Sequence, residues 1–212
     1  MKITKFGHCC LLIEEKDVRI LTDPGSWNET PNVENLDVIL LSHEHADHIH
    51  IESLKTILKS NEKTVIYTHE EVKKLLDAEN ISCVLIRDGE EVIIKGVNIA
   101  SFGTKHACIH NDIAIVQNTG FYIANKFFYP GDSFYNPKKD IEILALPVIA
   151  PWMKIEEAIE YAKVIKPKIV FPVHDGMLKE DRRAFTRIIP KNLLEKEGIK
   201  FVDIIEGTFV EF

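Results

Sequence analysis

The sequence predicts an α/β protein built from two strand-rich halves with helices on their outer sides. Three observations lead there. Short apolar or alternating runs recur along the chain with turn residues between them. A few segments instead space their apolar residues three and four apart, as helices do. Finally, four strand-like runs each end near a histidine or aspartate, the pattern of a site assembled at the carboxyl ends of strands.

Taken in order, strands are expected over 2–6, 9–14 and 18–22. Another over 37–42 (Asp37-Val-Ile-Leu-Leu41) runs straight into His43. A helix follows over about 51–60, where Ile51, Leu54, Ile57 and Leu58 form one stripe. Val65-Ile-Tyr67 is a strand, and Thr68-His69-Glu70-Glu71 reads as a capping box opening a helix that carries Val72, Leu75 and Leu76. Strands fill 82–86, 91–94, 97–105, 113–117, 119–124, 127–130 and 142–147. A helix over 154–165 buries Ile155, Ala158, Ile159, Ala162 and Ile165, and Pro167 stops it. A strand to Val173, a further helix, and strands near 200–204 and 208–211 complete the series. No Gly/Ser-rich linker or low-complexity stretch divides residues 1–212, which read as a single domain.

Residues 43–48 read His-Glu-His-Ala-Asp-His. In an extended segment residues two apart point the same way, so His43 and His45 can grip one ion. A turn into a helix would throw Asp47 and His48 toward a second position. Imidazole with carboxylate suits zinc first, and also manganese or iron. Beyond this run, His106 follows the apolar stretch Val97–Phe102, Asp132 follows Phe127–Tyr129, and His174 follows Lys168–Phe171.

The H-x-H-x-D-H run of His43, His45, Asp47 and His48 resembles the signature of the metallo-β-lactamase fold. Phe6-Gly7-His8, Asp23-Pro24, Phe102-Gly103-Thr104-Lys105-His106, Tyr129-Pro130-Gly131-Asp132 and Phe171-Pro172-Val173-His174 resemble its remaining motifs, in order. The match spans almost the whole chain and is nearest to a short single-domain branch that includes ascorbate-6-phosphate lactonase-like proteins. The resemblance implies a four-layer αββα sandwich holding two divalent ions. His43, His45 and His106 would take one, Asp47, His48 and His174 the other, and Asp132 would bridge them. Two ions about 4 Å apart can hold a hydroxide and polarise a carbonyl or phosphoryl oxygen. The expected function is therefore hydrolysis of an ester, lactone or phosphodiester-type bond in a small-molecule substrate. A nuclease of the same fold is the alternative, although the long exosite arm of tRNA-processing relatives is missing. A di-iron redox protein would typically place glutamate at the position of His45 and add a flavin domain. A non-catalytic scaffold would have lost ligands, and here all are present.

Composition fits this reading. A net charge of −7 and a pI near 5.7 argue against a surface built for nucleic acid. No apolar run reaches the roughly 20 residues that span a bilayer, and Met-Lys-Ile-Thr-Lys-Phe opens a strand, not a signal peptide. Cys9, Cys10, Cys83 and Cys108 lack C-x-x-C spacing. Cys9 and Cys10, adjacent in a strand, face opposite ways, which suits a reduced, cytoplasmic protein.

Several other residues qualify for supporting roles. By the resemblance, His8 and Asp23 stand where a second layer of groups would lie behind the metals; an aspartate there could fix an imidazole's tautomer. Asp23-Pro24-Gly25 is otherwise a turn. Asp175 is expected as a helix cap. His110, four residues past His106, is a candidate proton donor to the leaving group or a replacement ligand. His50 is expected as an exposed residue and His69 as part of a helix start. Trp152 either lines the pocket or packs.

Overall fold

The computed structural model describes residues 1–212, the side chain of Glu180 excepted. Three antiparallel strands, β1 (Lys2–Gly7), β2 (Cys10–Glu15) and β3 (Val18–Thr22), begin the chain. β4 (Val38–Leu40), β5 (Val65–Thr68) and β6 (Val84–Leu85) then add in parallel, with α1 (Ile51–Lys59) and α2 (Glu70–Ala78) making the crossovers that parallel strands require. The second sheet repeats the plan. Its antiparallel part is β7 (Glu91–Ile94), β8 (Val97–Phe102), β9 (Gly120–Ile123) and β10 (Phe127–Tyr129). Its parallel part is β11 (Ile143–Pro147), β12 (Ile169–Val173) and β13 (Lys200–Phe201), crossed by α3 (Ile155–Ile165) and α4 (Ala184–Leu194). β14 (Phe209–Glu211) returns to pair with β1, so each sheet has seven strands.

Three apolar layers bind these parts into the expected αββα sandwich. Between the sheets, Ile3, Leu11, Ile13, Ile20 and Leu40 meet Ile99, Phe121, Phe127, Ala145 and Phe171. Leu54 and Ile57 of α1 and Val72 and Leu76 of α2 cover Ile39 and Ile66 on the outer face of the first sheet. Ala158, Ile159 and Ala162 of α3, with Leu194 of α4, cover Leu144, Leu146 and Val170 on the second. Cys9 joins the inner layer and Cys10 the outer one, as strand alternation requires, and all four cysteines are free thiols.

Four local expectations need correction. The strand over 113–117 does not form: residues 111–119 have no regular structure, and Ile113 and Ile115 both face outward, where no strand lies beside them. β8 stops at Phe102, not 105, because Gly103 turns with φ +84°. Thr68 does not cap α2; its hydroxyl donates to the Leu41 carbonyl (2.9 Å). His69 is the cap, its Nδ1 accepting the Glu71 N–H (3.2 Å). Asp175 is not a cap but one end of a buried ion pair.

That pair ties the sheets together beneath the site. On β1 the inward positions are Ile3, Lys5 and Gly7, so strand alternation drives a lysine into the core. Lys5 Nζ donates to the Pro172 carbonyl and to both oxygens of Asp175, each at 2.9 Å. Arg187 from α4 also donates to Asp175. Burial alone would raise the Asp175 carboxyl, but Lys5 and Arg187 outweigh it and hold it at about 2. Removing one partner of a buried pair typically costs about 3 kcal/mol or more. Lys5→Met should therefore lower the unfolding free energy by about that much near neutral pH. Because Asp175 is depressed in the folded state, the pair's contribution is complete above about pH 4 and fades as pH falls toward 2. Denaturant titrations across this range should show the gap between wild type and Lys5→Met narrowing in acid.

Candidate metal centre

The parallel strands deliver the site at their carboxyl ends. After β4, Leu41 N–H still pairs with the Tyr67 carbonyl (3.1 Å), and the chain leaves the sheet at Ser42. It then makes one tight turn in which His48 and Ile49 both donate to the His45 carbonyl (2.9 Å each), bringing Asp47 and His48 back over the sheet. The Asp23-Pro24-Gly25 segment lies flat against this turn. A Cβ on Gly25 would stand 1.8 Å from the Asp47 carbonyl oxygen, so only glycine fits. From the second sheet, Asp132 follows β10 and its N–H donates to Asn118 Oδ1 (2.9 Å). His174 follows β12, and its N–H donates to the His8 carbonyl (3.1 Å), joining the two sheets.

All seven expected ligands come together. The donor atoms of His43, His45 and His106 lie within 4.8 Å of one another, as do those of Asp47, His48 and His174 with His8. Asp132 stands between the trios: its Oδ1 is 3.1 Å from His48 Nε2, and its Oδ2 is 2.8 Å from His174 Nε2 and 3.3 Å from His106 Nε2.

Hydrogen bonds behind the imidazoles fix which nitrogen faces inward. His48 Nδ1–H donates to Asp23 Oδ2 (2.7 Å), His106 Nδ1–H to the Ala107 carbonyl (2.6 Å) and His174 Nδ1–H to the Ile149 carbonyl (2.7 Å). His43 Nδ1–H donates to Ser42 Oγ (3.0 Å), whose own proton goes to Asp23. Each Nε2 therefore presents a lone pair to the centre. The Nε2 atoms of His48, His106 and His174 and Oδ1 of Asp132 are buried with no hydrogen-bond donor. Acceptors so close together are tolerated only with positive charge among them. The titration directions carry the same demand for positive charge, the raised imidazoles by taking up a proton where a cation would stand. Burial and His48 keep His43 well below the usual histidine value, and burial lowers His45. Burial opposes charge on His48 and His174, yet Asp132 overrides it and raises both; in turn His48 and His174 overcome the effect of burial on Asp132 and hold it well down. The donor set of imidazole and carboxylate fits divalent zinc, manganese or iron. The Cys9 thiol also lies within 4.8 Å of His48 and Asp132, but burial pushes its pKa well above the ordinary value, so it stays protonated.

A family model described as "Beta-lactamase superfamily domain" matches residues 2–174. The chain belongs to the metallo-β-lactamase superfamily. Protein Rv0786c of Mycobacterium tuberculosis is 32% identical over 190 residues, 87% of this chain and 88% of the relative. A UPF0173 metal-dependent hydrolase of Thermoplasma acidophilum is 29% identical over 82% of this chain and 83% of its own. Among solved structures, Igni18, a metallo hydrolase from Ignicoccus hospitalis, superposes with TM-score 0.76 over 100% of this chain and 98% of that one; at 20% identity it shares the fold.

Within this superfamily member, groups outside the seven hold the candidate ligands in place. Asp23, fully buried, accepts from Ser42 N–H (2.8 Å), Ser42 Oγ, Tyr129 OH and His48. His8 is also inaccessible. Its Nδ1 accepts the Gly176 N–H (3.1 Å), leaving Nε2–H to donate to Asp47 Oδ2 (3.1 Å). Burial lowers His8 to about 4. It therefore serves Asp47 as a neutral donor, with the Trp27 ring tilted against it (ring centroids 4.8 Å apart, 59° between planes). Trp152 does more than pack: its Nε1–H donates to Asp132 Oδ2 (2.9 Å).

His110 does not join the centre. Its side chain is 65% exposed, and its Nδ1 accepts the Asp112 N–H (3.1 Å), which closes a surface turn. His50 is exposed as expected. His69 caps α2 and also donates from Nε2 to the Ser42 carbonyl (3.0 Å), bracing the metal loop. Sequence reasoning gave no role to Ser42 or Tyr129; their only signal was adjacency, one residue before His43 and three before Asp132.

Replacing a group that orients a metal-binding imidazole typically costs 10–100-fold in affinity. Asp23→Asn should keep the fold yet weaken metal binding by about that factor. Competition with a chromophoric chelator measures it, and unchanged affinity would show that Asp23 acts only on the fold.

Proposed function

We propose that residues 1–212 act as one unit, a dinuclear metal-dependent hydrolase that cleaves an ester, lactone or phosphodiester-type bond of a small molecule. One observation supports this above the others: two trios of ligand atoms flank a shared carboxylate, with orphaned acceptors converging between them. His43, His45 and His106 would hold one ion, Asp47, His48 and His174 the second, and Asp132 both, with zinc the leading candidate. When bound, the ions supply a Lewis acid for the scissile bond and acidify the attacking water.

The protein side chains do the remaining work. Burial would raise Asp47, but the hydrogen bond from His8 and the charge of His48 hold it at about 2, so it is ionised at neutral pH. A carboxylate that acidic accepts a hydrogen bond from water and aims its lone pair better than it keeps a proton. Trp152 and Asn118 both fix Asp132, one through its carboxylate and one through its backbone N–H. The free, reduced cysteines suit a cytoplasmic setting. His45 at the second position of the run, where a redox member would carry a carboxylate, favours hydrolysis over oxygen chemistry. The chain's acidity disfavours the nuclease alternative.

Metal-replete protein should contain two ions per chain by elemental analysis, and His48→Ala or Asp132→Ala should contain fewer. A wild-type value that never exceeds one removes the second site. Hydrolysis of chromogenic esters, lactones or phosphodiesters should vanish with chelator and return with Zn²⁺ or Mn²⁺. Asp47→Asn should lower kcat on the order of 10²-fold.

His110 serves as a separate test. From its exposed position it leaves protonation of the leaving group to solvent, so His110→Ala should retain both ions and the wild-type rate. A loss of kcat confined to substrates with poor leaving groups would restore the general-acid role. Loss of an ion would make it a ligand in place of His106.

A further inference from the structure

Beside the first trio lies a small cleft that the ligand set does not use. His45 and His106 form its polar end, and Ile109, Ile113, Ile115 and Val116 form its walls. The isoleucines are left substantially open, Ile109 at 37%, Ile113 at 52% and Ile115 at 51% exposed. Three half-bare isoleucines in one irregular segment are a poor arrangement for stability alone and a good one for receiving an apolar group. The cleft has a volume of about 70 Å³. At roughly 15 Å³ for each water-sized group, that is room for about five heavy atoms. None of the described residues lining it is a lysine or arginine. The adjoining groove, which shares Ile115 and Val116, carries Glu44 and Glu71 against the single cation Lys105. A charged substituent reaching past the ions would meet two carboxylates and one ammonium there, where anion sites normally offer several donors from arginine, lysine or backbone N–H.

We propose that the substrate is a neutral ester or lactone whose short aliphatic acyl chain seats in this cleft, with its carbonyl beside His45 and His106. The inference rests on the hydrolase reading above. Water adds to the acyl carbon, the bond from that carbon to the alkoxy oxygen breaks, and the proton given up by water ends on the departing alcohol. An ester gives a carboxylic acid and an alcohol, a lactone a single hydroxy acid, and no further reactant is needed.

The test uses metal-replete protein and p-nitrophenyl acetate, propionate, butyrate, hexanoate and octanoate, with bis(p-nitrophenyl) phosphate for comparison. Each rate is divided by the uncatalysed rate. We expect kcat/KM to rise about three- to fourfold per added methylene up to butyrate, the factor for one buried CH₂, and to fall by octanoate. The phosphodiester should be enhanced at least about tenfold less than butyrate, since it has no short alkyl chain to seat in the cleft. Ile113→Phe fills the cleft from an exposed position. It should lower kcat/KM for butyrate about tenfold or more and leave acetate within about twofold, because only the longer chain needs the occupied space. Butyramide, a neutral probe, should shift the methyl NMR signals of Ile109, Ile113 and Ile115, and Ile113→Phe should abolish that shift. Esters hydrolysed with no chain-length dependence, a preference for the phosphodiester, or an unselective Ile113→Phe would overturn the inference while leaving the hydrolase reading intact. Protein with two bound ions that turns over none of these substrates counts against that reading instead. The butyramide titration then decides the cleft alone, and undisturbed isoleucine signals would reject it.

Discussion

The buried carboxyl of Asp23 is the constraint on which the candidate metal centre depends. It has no contact with solvent and accepts four hydrogen bonds, from Ser42 N–H and Oγ, His48 and Tyr129. Those four bonds do separate jobs. The Ser42 pair fixes where the chain leaves the first sheet, the His48 bond selects one tautomer directly, and Ser42 passes the same selection on to His43. Tyr129 brings in the second sheet. Three of these donors fall on Oδ2 and one on Oδ1, and a carboxyl held at this depth depends on such partners, so losing one donor would leave a buried polar group underpaired.

Much of the centre was legible in the sequence, for a physical reason. Ligands at the carboxyl ends of strands follow apolar runs, and such runs are visible without knowing which strands neighbour each other. His43, His45, Asp47, His48, His106, Asp132 and His174 could all be picked out in this way. What stayed hidden was long-range pairing. Nothing near Lys5 announces Asp175, which lies 170 residues away. Nothing near Trp152 announces Asp132, and nothing near His8 announces the Gly176 amide. His110 was attractive by spacing alone, but spacing does not reveal that the chain turns outward after His106. The expected strand over 113–117 was misread for a related reason: alternation between Ile113 and Ile115 reports a shared face, and here that face borders a cleft.

Backbone strain gathers at the same place. His8, Asp23 and His174 have φ of +37°, +34° and +59°, in the left-handed region that non-glycine residues seldom adopt. Elsewhere positive φ falls at turns, on residues such as Asn80, Asn125 and Lys166. At the site the three strained residues are the ones whose side chains must face inward where their strands end, and the hydrogen bonds around them hold that geometry.

The backbone bond from His174 to His8 marks the seam between the two sheets, and the candidate ligands straddle it. His43, His45, Asp47 and His48 belong to the first sheet; His106, Asp132 and His174 belong to the second. Ions held across such a seam would act as rivets, gripping both halves only while the halves stay in register. By mass action, a ligand at a thousandfold excess over its dissociation constant adds about 4 kcal/mol to the folded state, comparable to much of a small domain's whole stability. The seven side chains would then answer to two selective pressures at once, turnover and the cohesion of the sandwich. A chain that lost its catalytic use would still be penalised for losing its ligands.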